Sequence, residues 1–93
     1  MATNQTEENA RKDVTLFALS TCVWCRKTKA LLEEMAVPHR RIDVDLLKGE
    51  EREKALAELK RFNPLCSFPS LVVDQSTCIV GFDEARIKEA FKR

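Results

Sequence analysis

Between residues 14 and 36 the chain passes from a short apolar run into a segment with helical spacing, and two cysteines sit on the seam, in FALSTCVWCRKTKALLEEM. The run VTLFA at 14–18 is β-branched and aromatic, with Asp13 before it and the polar STC after it, as suits a short buried strand. From Val23 onward Ala30, Leu31, Met35 and the ring of Trp24 recur at three- and four-residue spacings, with Arg26, Lys27, Lys29, Glu33 and Glu34 between them. That pattern predicts an amphipathic helix ending near Ala36, before Val37-Pro38. A buried strand joined to such a helix with almost no linker must have the helix folded back on it, which points to an α/β unit.

The rest of the chain extends that unit. Residues 40–45, RRIDVD, alternate with Ile42 and Val44 on one side and predict a second strand. LLKGEEREKALAELKRF at 46–62 is rich in helix formers, with Leu56, Leu59 and Phe62 on one stripe, and Asn63-Pro64 stops it. SLVV at 70–73 and TCIV at 77–80, separated by a three-residue turn, predict a hairpin. DEARIKEAFKR at 83–93 predicts a last helix capped by Asp83 and packed through Ala85, Ile87, Ala90 and Phe91. The order is βαβαββα. A right-handed crossover makes the first two strands parallel, and the hairpin adds antiparallel strands to the same sheet. The expected fold is therefore a four-stranded mixed sheet flanked by helices, formed by residues 13–93, with 1–12 as a polar tail.

Charge and composition exclude several classes of function. Sixteen Lys and Arg against 15 Asp and Glu leave a formal charge of +1, too little to draw a nucleic acid or an anionic membrane. The longest uncharged run, Val14 to Cys25, is far below the roughly 20 residues that span a bilayer. Arg11 and Lys12 before a run ending in LSTC resemble a bacterial lipoprotein signal. However, Asp13 abuts the run, Thr15, Ser20 and Thr21 dilute it, and cleavage there would delete the first strand. Four cysteines in a chain rich in helix formers suit a reduced, cytoplasmic protein better than a secreted disulfide scaffold.

Cys22 falls at the start of the first helix, where free amide N–H groups and the helix dipole favour a thiolate, and Arg26 and Lys27 add cations on the first turn. Cys25, one turn on and on the same face, is the deeper thiol and can bridge to Cys22. Cys22 would attack a substrate disulfide and Cys25 would resolve the mixed disulfide. A structural zinc site needs two further ligands, but Cys66, Cys78 and the lone His39 are remote from the pair in sequence and form no second knuckle. An inert pair of core thiols does not explain two cysteines at a helix start after Ser20 and Thr21.

From Val14 to Phe91 the sequence resembles the glutaredoxins of the thioredoxin-like superfamily. FALSTCVWCRKTKALL is similar to their strand, CPYC-type motif and helix, with Trp24 at the aromatic position and Lys29 and Leu32 where the family often has Lys and Leu. SFP at 67–69 resembles the TVP-type motif with its cis proline, and VGFDE at 80–84 a variant of GGxDD.

The resemblance implies a thioredoxin-like fold and a monomeric oxidoreductase that reduces protein disulfides or glutathione mixed disulfides, with Cys22 and Cys25 catalytic. It implies that Trp24, Arg26, Phe68 and Pro69 shape the substrate groove, the Phe68 backbone pairing with substrate as an added strand does. Gly81, Phe82 and Asp83 would meet the γ-glutamyl end of glutathione, the expected reductant or cosubstrate, with no resident cofactor or metal. Val23 in place of proline, Leu19 in place of a lysine and Val80 in place of a glycine depart from the family pattern. They leave thioredoxin reductase as a second candidate electron source, as for the glutaredoxin-like hydrogen donors of ribonucleotide reductase. A rival function is the binding of an iron–sulfur cluster or thiophilic metal through Cys22. Cys66, three residues before Pro69, is expected near Cys22 as an alternative disulfide partner or ligand, and Cys78 as a small buried side chain.

Overall fold

The computed structural model describes residues 13–91; the polar tail at 1–12 and the last two residues of the expected final helix lie outside that range. β1 (Val14–Ala18) is buried along its whole length and pairs on both sides. Its parallel neighbour is β2 (Arg40–Asp43), in a register that sets Ala18 beside Asp43. Its antiparallel neighbour is β3 (Ser70–Val73), and β3 pairs in turn with β4 (Thr77–Val80). The sheet order β2-β1-β3-β4 is the mixed four-stranded arrangement expected from the sequence.

Alternation along β1 divides the core into two layers. Val14, Leu16 and Ala18 pack with α1 (Val23–Glu34) and α3 (Glu84–Ala90), in a cluster containing Cys25, Leu31, Leu32, Leu71, Ile79 and Ile87. Phe17 points the other way and packs with Val44, Leu59 and Val72 beneath α2 (Gly49–Phe62). Helices thus cover both faces, and truncating Phe17 or Leu59, both fully buried, to alanine is expected to cost about 3–5 kcal/mol.

Several boundaries differ from the sequence expectation, each for a local reason. On α1 the buried positions are Cys25, Thr28, Leu31 and Leu32, while Ala30 and Trp24 are exposed. Trp24 lies about 100° round the helix from Cys25, off the buried stripe. The second strand ends at Asp43, and Val44–Leu46 forms a 3-10 turn closed by the Leu47 N–H donating to the Val44 carbonyl at 3.2 Å. Leu46 and Leu47 therefore precede α2, which starts at Gly49, whose φ of +59° favours glycine. Ala85 is exposed, and α3 packs through Ile87 with Phe91 just beyond it.

Asn63 ends α2 and also ties down the loop that follows. Its side-chain N–H groups donate to Ser67 Oγ at 2.9 Å and Ser70 Oγ at 3.0 Å, and its Oδ1 accepts from the Leu65 N–H. This buried staple fixes the approach to Pro69. Among the described residues no helix is long and apolar enough to cross a membrane.

Candidate active site

The strand-to-helix junction brings the two thiols together. Cys22 is the N-cap of α1, in extended conformation, and its Sγ accepts the Cys25 N–H at 3.2 Å. A sulfur occupies the capping place usually filled by a Ser or Asp oxygen, so the free amides of the first turn point at the thiol. Cys25 is fully buried, and its Sγ accepts the Leu19 N–H at 3.4 Å. Burial pushes its pKa up to about 11, helped by the hydrogen bond with Cys22 and by the Cys22 charge; the Leu19 N–H and the Lys29 ammonium act the other way. One thiol is partly exposed and presented by backbone amides, while the other is held back and protonated.

Lys29 lies one turn beyond Cys25 and forms a largely buried ion pair with Asp43 at 2.8 Å. This cation was visible in sequence only as a family-typical position. The cations nearer the cysteines are arranged otherwise: Lys27 Nζ lies 4.6 Å from the centre of the Trp24 ring, and Arg26 is exposed.

Trp24, Phe68, Pro69, Gly81 and Phe82 line one groove of about 280 Å³. The Trp24 and Phe82 rings stack with centroids 6.1 Å apart at 23°. The Phe68-Pro69 peptide is cis, and the Gly81 N–H donates to the Pro69 carbonyl at 2.8 Å, joining the loop to the end of β4. Gly81 has φ +80°, a backbone state that favours glycine, and a Cβ there would meet no protein atom within 4 Å. Among the described residues nothing pairs with the Phe68 backbone. Arg26 and Asp83 stand outside the groove lining; Asp83 Oδ1 accepts the Arg86 N–H at 3.1 Å and so caps α3.

The structure corrects the expected place of Cys66. It packs against the α2-side cluster with Cys78, on the opposite face of the sheet from Cys25. Its φ is +51°, which turns the chain after Pro64 toward that side. Among the described residues no three His, Cys, Asp or Glu side chains lie together as a metal site would require. Burial raises the pKa of Cys78, with the Ser70 hydroxyl partly opposing. A larger concavity of about 530 Å³ runs between β2 and α2, from Arg41 to Glu58, and contains no cysteine. Its lack of a thiol sets it apart from the dithiol site, despite its size.

The contact least visible in sequence is between Ser20 and Asp45. The Ser20 N–H donates to Asp45 Oδ1 at 2.9 Å and its hydroxyl to Oδ2. These bonds hold the Asp45 carboxyl below the usual carboxylate range. Only the parallel register and the 3-10 turn create this pair.

Comparison with known proteins agrees with this geometry. The glutaredoxin family model matches residues 14–77. A solved glutaredoxin from Methanosarcina mazei Go1 is 44% identical, with a TM-score of 0.81, covering 87% of this chain and 79% of that one. The methanoredoxin of Methanosarcina acetivorans is 43% identical, with a TM-score of 0.84 and coverage of 87% and 85%. A glutaredoxin from Archaeoglobus fulgidus is 26% identical over 100% of this chain and 98% of that one, with a TM-score of 0.81. No curated protein sequence matches the chain.

Proposed function

This chain belongs to the glutaredoxin family, a family of thiol–disulfide oxidoreductases, and we propose that it reduces protein disulfides or glutathione mixed disulfides through Cys22 and Cys25. The observation that carries the proposal is the asymmetric dithiol, in which Cys22 caps α1 with its sulfur while buried Cys25 waits behind it.

Cys22 thiolate attacks one sulfur of the substrate disulfide, forming a mixed disulfide and releasing the other sulfur as a thiolate. Attack removes the Cys22 charge and the hydrogen bond its thiolate accepts from the Cys25 thiol, two of the causes that keep Cys25 protonated. Cys25 then loses its proton more readily and displaces the substrate sulfur from Cys22. The protein is left with an internal disulfide, and the substrate with two thiols. An external donor must return two electrons.

Support for a peptide substrate comes from the groove. Its lining is uncharged, Val23 and Val80 are 59% and 47% exposed, and the Phe68 N–H and C=O are free to pair with an extended segment. Leu19, where the family often has lysine, is half-buried against the α2-side cluster and offers no charge to a carboxylate. Glutathione would meet the Gly81, Phe82 and Asp83 corner with its γ-glutamyl end, Asp83 Oδ2 taking the ammonium while Oδ1 stays in the cap. We place the reaction in the cytoplasm, with the protein acting as a monomer.

Supplying the oxidised protein with glutathione, glutathione reductase and NADPH in one assay, and thioredoxin reductase with NADPH in another, identifies the donor. NADPH consumption linked to reduction of a protein disulfide is expected in one of them. Failure of the protein to reduce any disulfide after full chemical reduction of Cys22 and Cys25 would overturn the proposal.

A further inference from the structure

Asp45 lies 25 residues from Ser20 in sequence, yet its carboxylate takes both the N–H and the hydroxyl of that residue. The Ser20 N–H and the Leu19 carbonyl belong to one peptide unit. That carbonyl accepts the Cys22 N–H at 3.2 Å, and the preceding N–H, that of Leu19, donates to Cys25 Sγ at 3.4 Å. The 19–20 peptide is therefore held by Asp45 at its N–H and by the Cys22 N–H at its carbonyl, and Leu19, at its head, presents the N–H of the preceding peptide to Cys25 Sγ. No other described side chain holds this peptide.

We infer that Asp45 is a positioning residue for the resolving thiol, holding the Leu19–Ser20 peptide so that the Leu19 N–H reaches Cys25 Sγ. This rests on the dithiol mechanism proposed above. An N–H aimed at sulfur favours its thiolate, and a hydrogen bond to a charged group is worth more than one to a neutral group. Without the carboxylate the Leu19–Ser20 peptide keeps only the Cys22 N–H on its carbonyl, and the long 3.4 Å contact is the first to be lost.

The charge of Asp45 alone would act in the opposite direction, since a nearby anion disfavours a second one. The charged and titratable groups around Cys25 are Cys22 and Lys29 of α1, Asp43 of β2, and Asp45 of the 3-10 turn. Lys29 sits among them and offsets both acidic groups. A positional role and a charge role thus predict different outcomes for an amide replacement.

A chromogenic aryl disulfide separates the two chemical steps in a single turnover. Attack by Cys22 thiolate releases one coloured thiolate, and displacement by Cys25, which gives up one proton, releases the second while Cys22 and Cys25 join. The measurement uses the full chain with Cys66→Ser and Cys78→Ser, so that only the CVWC thiols react. Asp45→Ala is expected to leave the first release within about twofold and to slow the second roughly tenfold. Asp45→Asn keeps an oxygen for the Ser20 N–H and is expected to restore the second release to within about threefold.

Equal slowing of both steps by Asp45→Ala, or of neither, overturns the inference. So does an Asp45→Asn variant as slow as Asp45→Ala, because an oxygen for the Ser20 N–H would then not suffice to position the peptide. If Asp45→Ala fails to fold, Ser20→Ala removes only the hydroxyl bond and should slow the second release alone by about threefold; an unchanged second release then overturns it. A background protein that releases neither thiolate would instead overturn the dithiol mechanism itself.

Discussion

The chain carries two pairs of cysteines, and their surroundings are unlike. Cys22 and Cys25 share a hydrogen bond across the start of α1, and Trp24 between them in sequence lines a groove. Cys66 and Cys78 lie on the α2 side of the sheet as partly buried packing groups. A thiol becomes a reagent when backbone amides favour its ionised form and a second thiol stands within bonding reach. The same side chain packed among Phe62, Leu56 and Val72 is a small apolar group.

The widest separation between the pairs should appear on removing sulfur. Cys22→Ser is expected to lower disulfide reduction by at least about a thousandfold, whereas Cys66→Ser and Cys78→Ser each stay within about twofold. Steady-state turnover of a protein disulfide measures all three. A large loss with Cys66→Ser would dissolve the distinction.

The two thiols of the active pair can themselves be set apart. Cys25→Ser should retain the first attack and accumulate a mixed disulfide visible by mass spectrometry. In the unsubstituted protein the resolving step should quicken as pH rises above neutrality and level off below pH 11, because the Cys25 thiolate fraction grows until pH passes its pKa in the mixed disulfide, which lies below the value of about 11 in the resting dithiol. The sign for stability is opposite. Between pH 9.0 and about 11 the unfolded thiol ionises while the buried native one stays protonated, so stability falls as pH rises through that window. Chemical denaturation across that range should show the decline, and Cys25→Ser should lessen it, leaving the part that the raised Cys78 thiol contributes.

Trp24→Ala tests the groove without touching sulfur. Loss of the wall stacked on Phe82 should raise KM for a protein disulfide by about three- to tenfold, with kcat changed by less than about twofold. An equal fall in kcat would place Trp24 in the chemistry. The smallest effect concerns what lies behind Cys25: Lys29→Met leaves Asp43 without its cation and should cost about 1–3 kcal/mol in urea denaturation. No change there would mean that solvent replaces the ammonium.

Much of this molecule was legible from local pattern. The VTLFA run, the hairpin strands at 70–73 and 77–80, the Asp83 cap and the stop at Asn63-Pro64 are where the sequence places them. The two-residue cysteine spacing gave the dithiol, since a helix start brings such side chains onto one face. The second strand was read two residues too long because Ile42 and Val44 do lie on one side, although the chain has already turned at Asp43. Trp24 was counted with the apolar stripe because spacing alone does not distinguish a ring facing the core from one facing a groove.

Sequence by itself thus determined the elements, their order, and the pairing of two thiols at a helix start, since each follows from contacts between residues a few positions apart. Tertiary structure decided which face Cys66 takes, where Lys29 finds its carboxylate, and that Asp45 holds the peptide beside both cysteines. Those arrangements depend on the register of β1 against β2 and on the turn after Asp43. A hydrogen bond acts over about 3 Å, so its partners are fixed only when distant segments have docked.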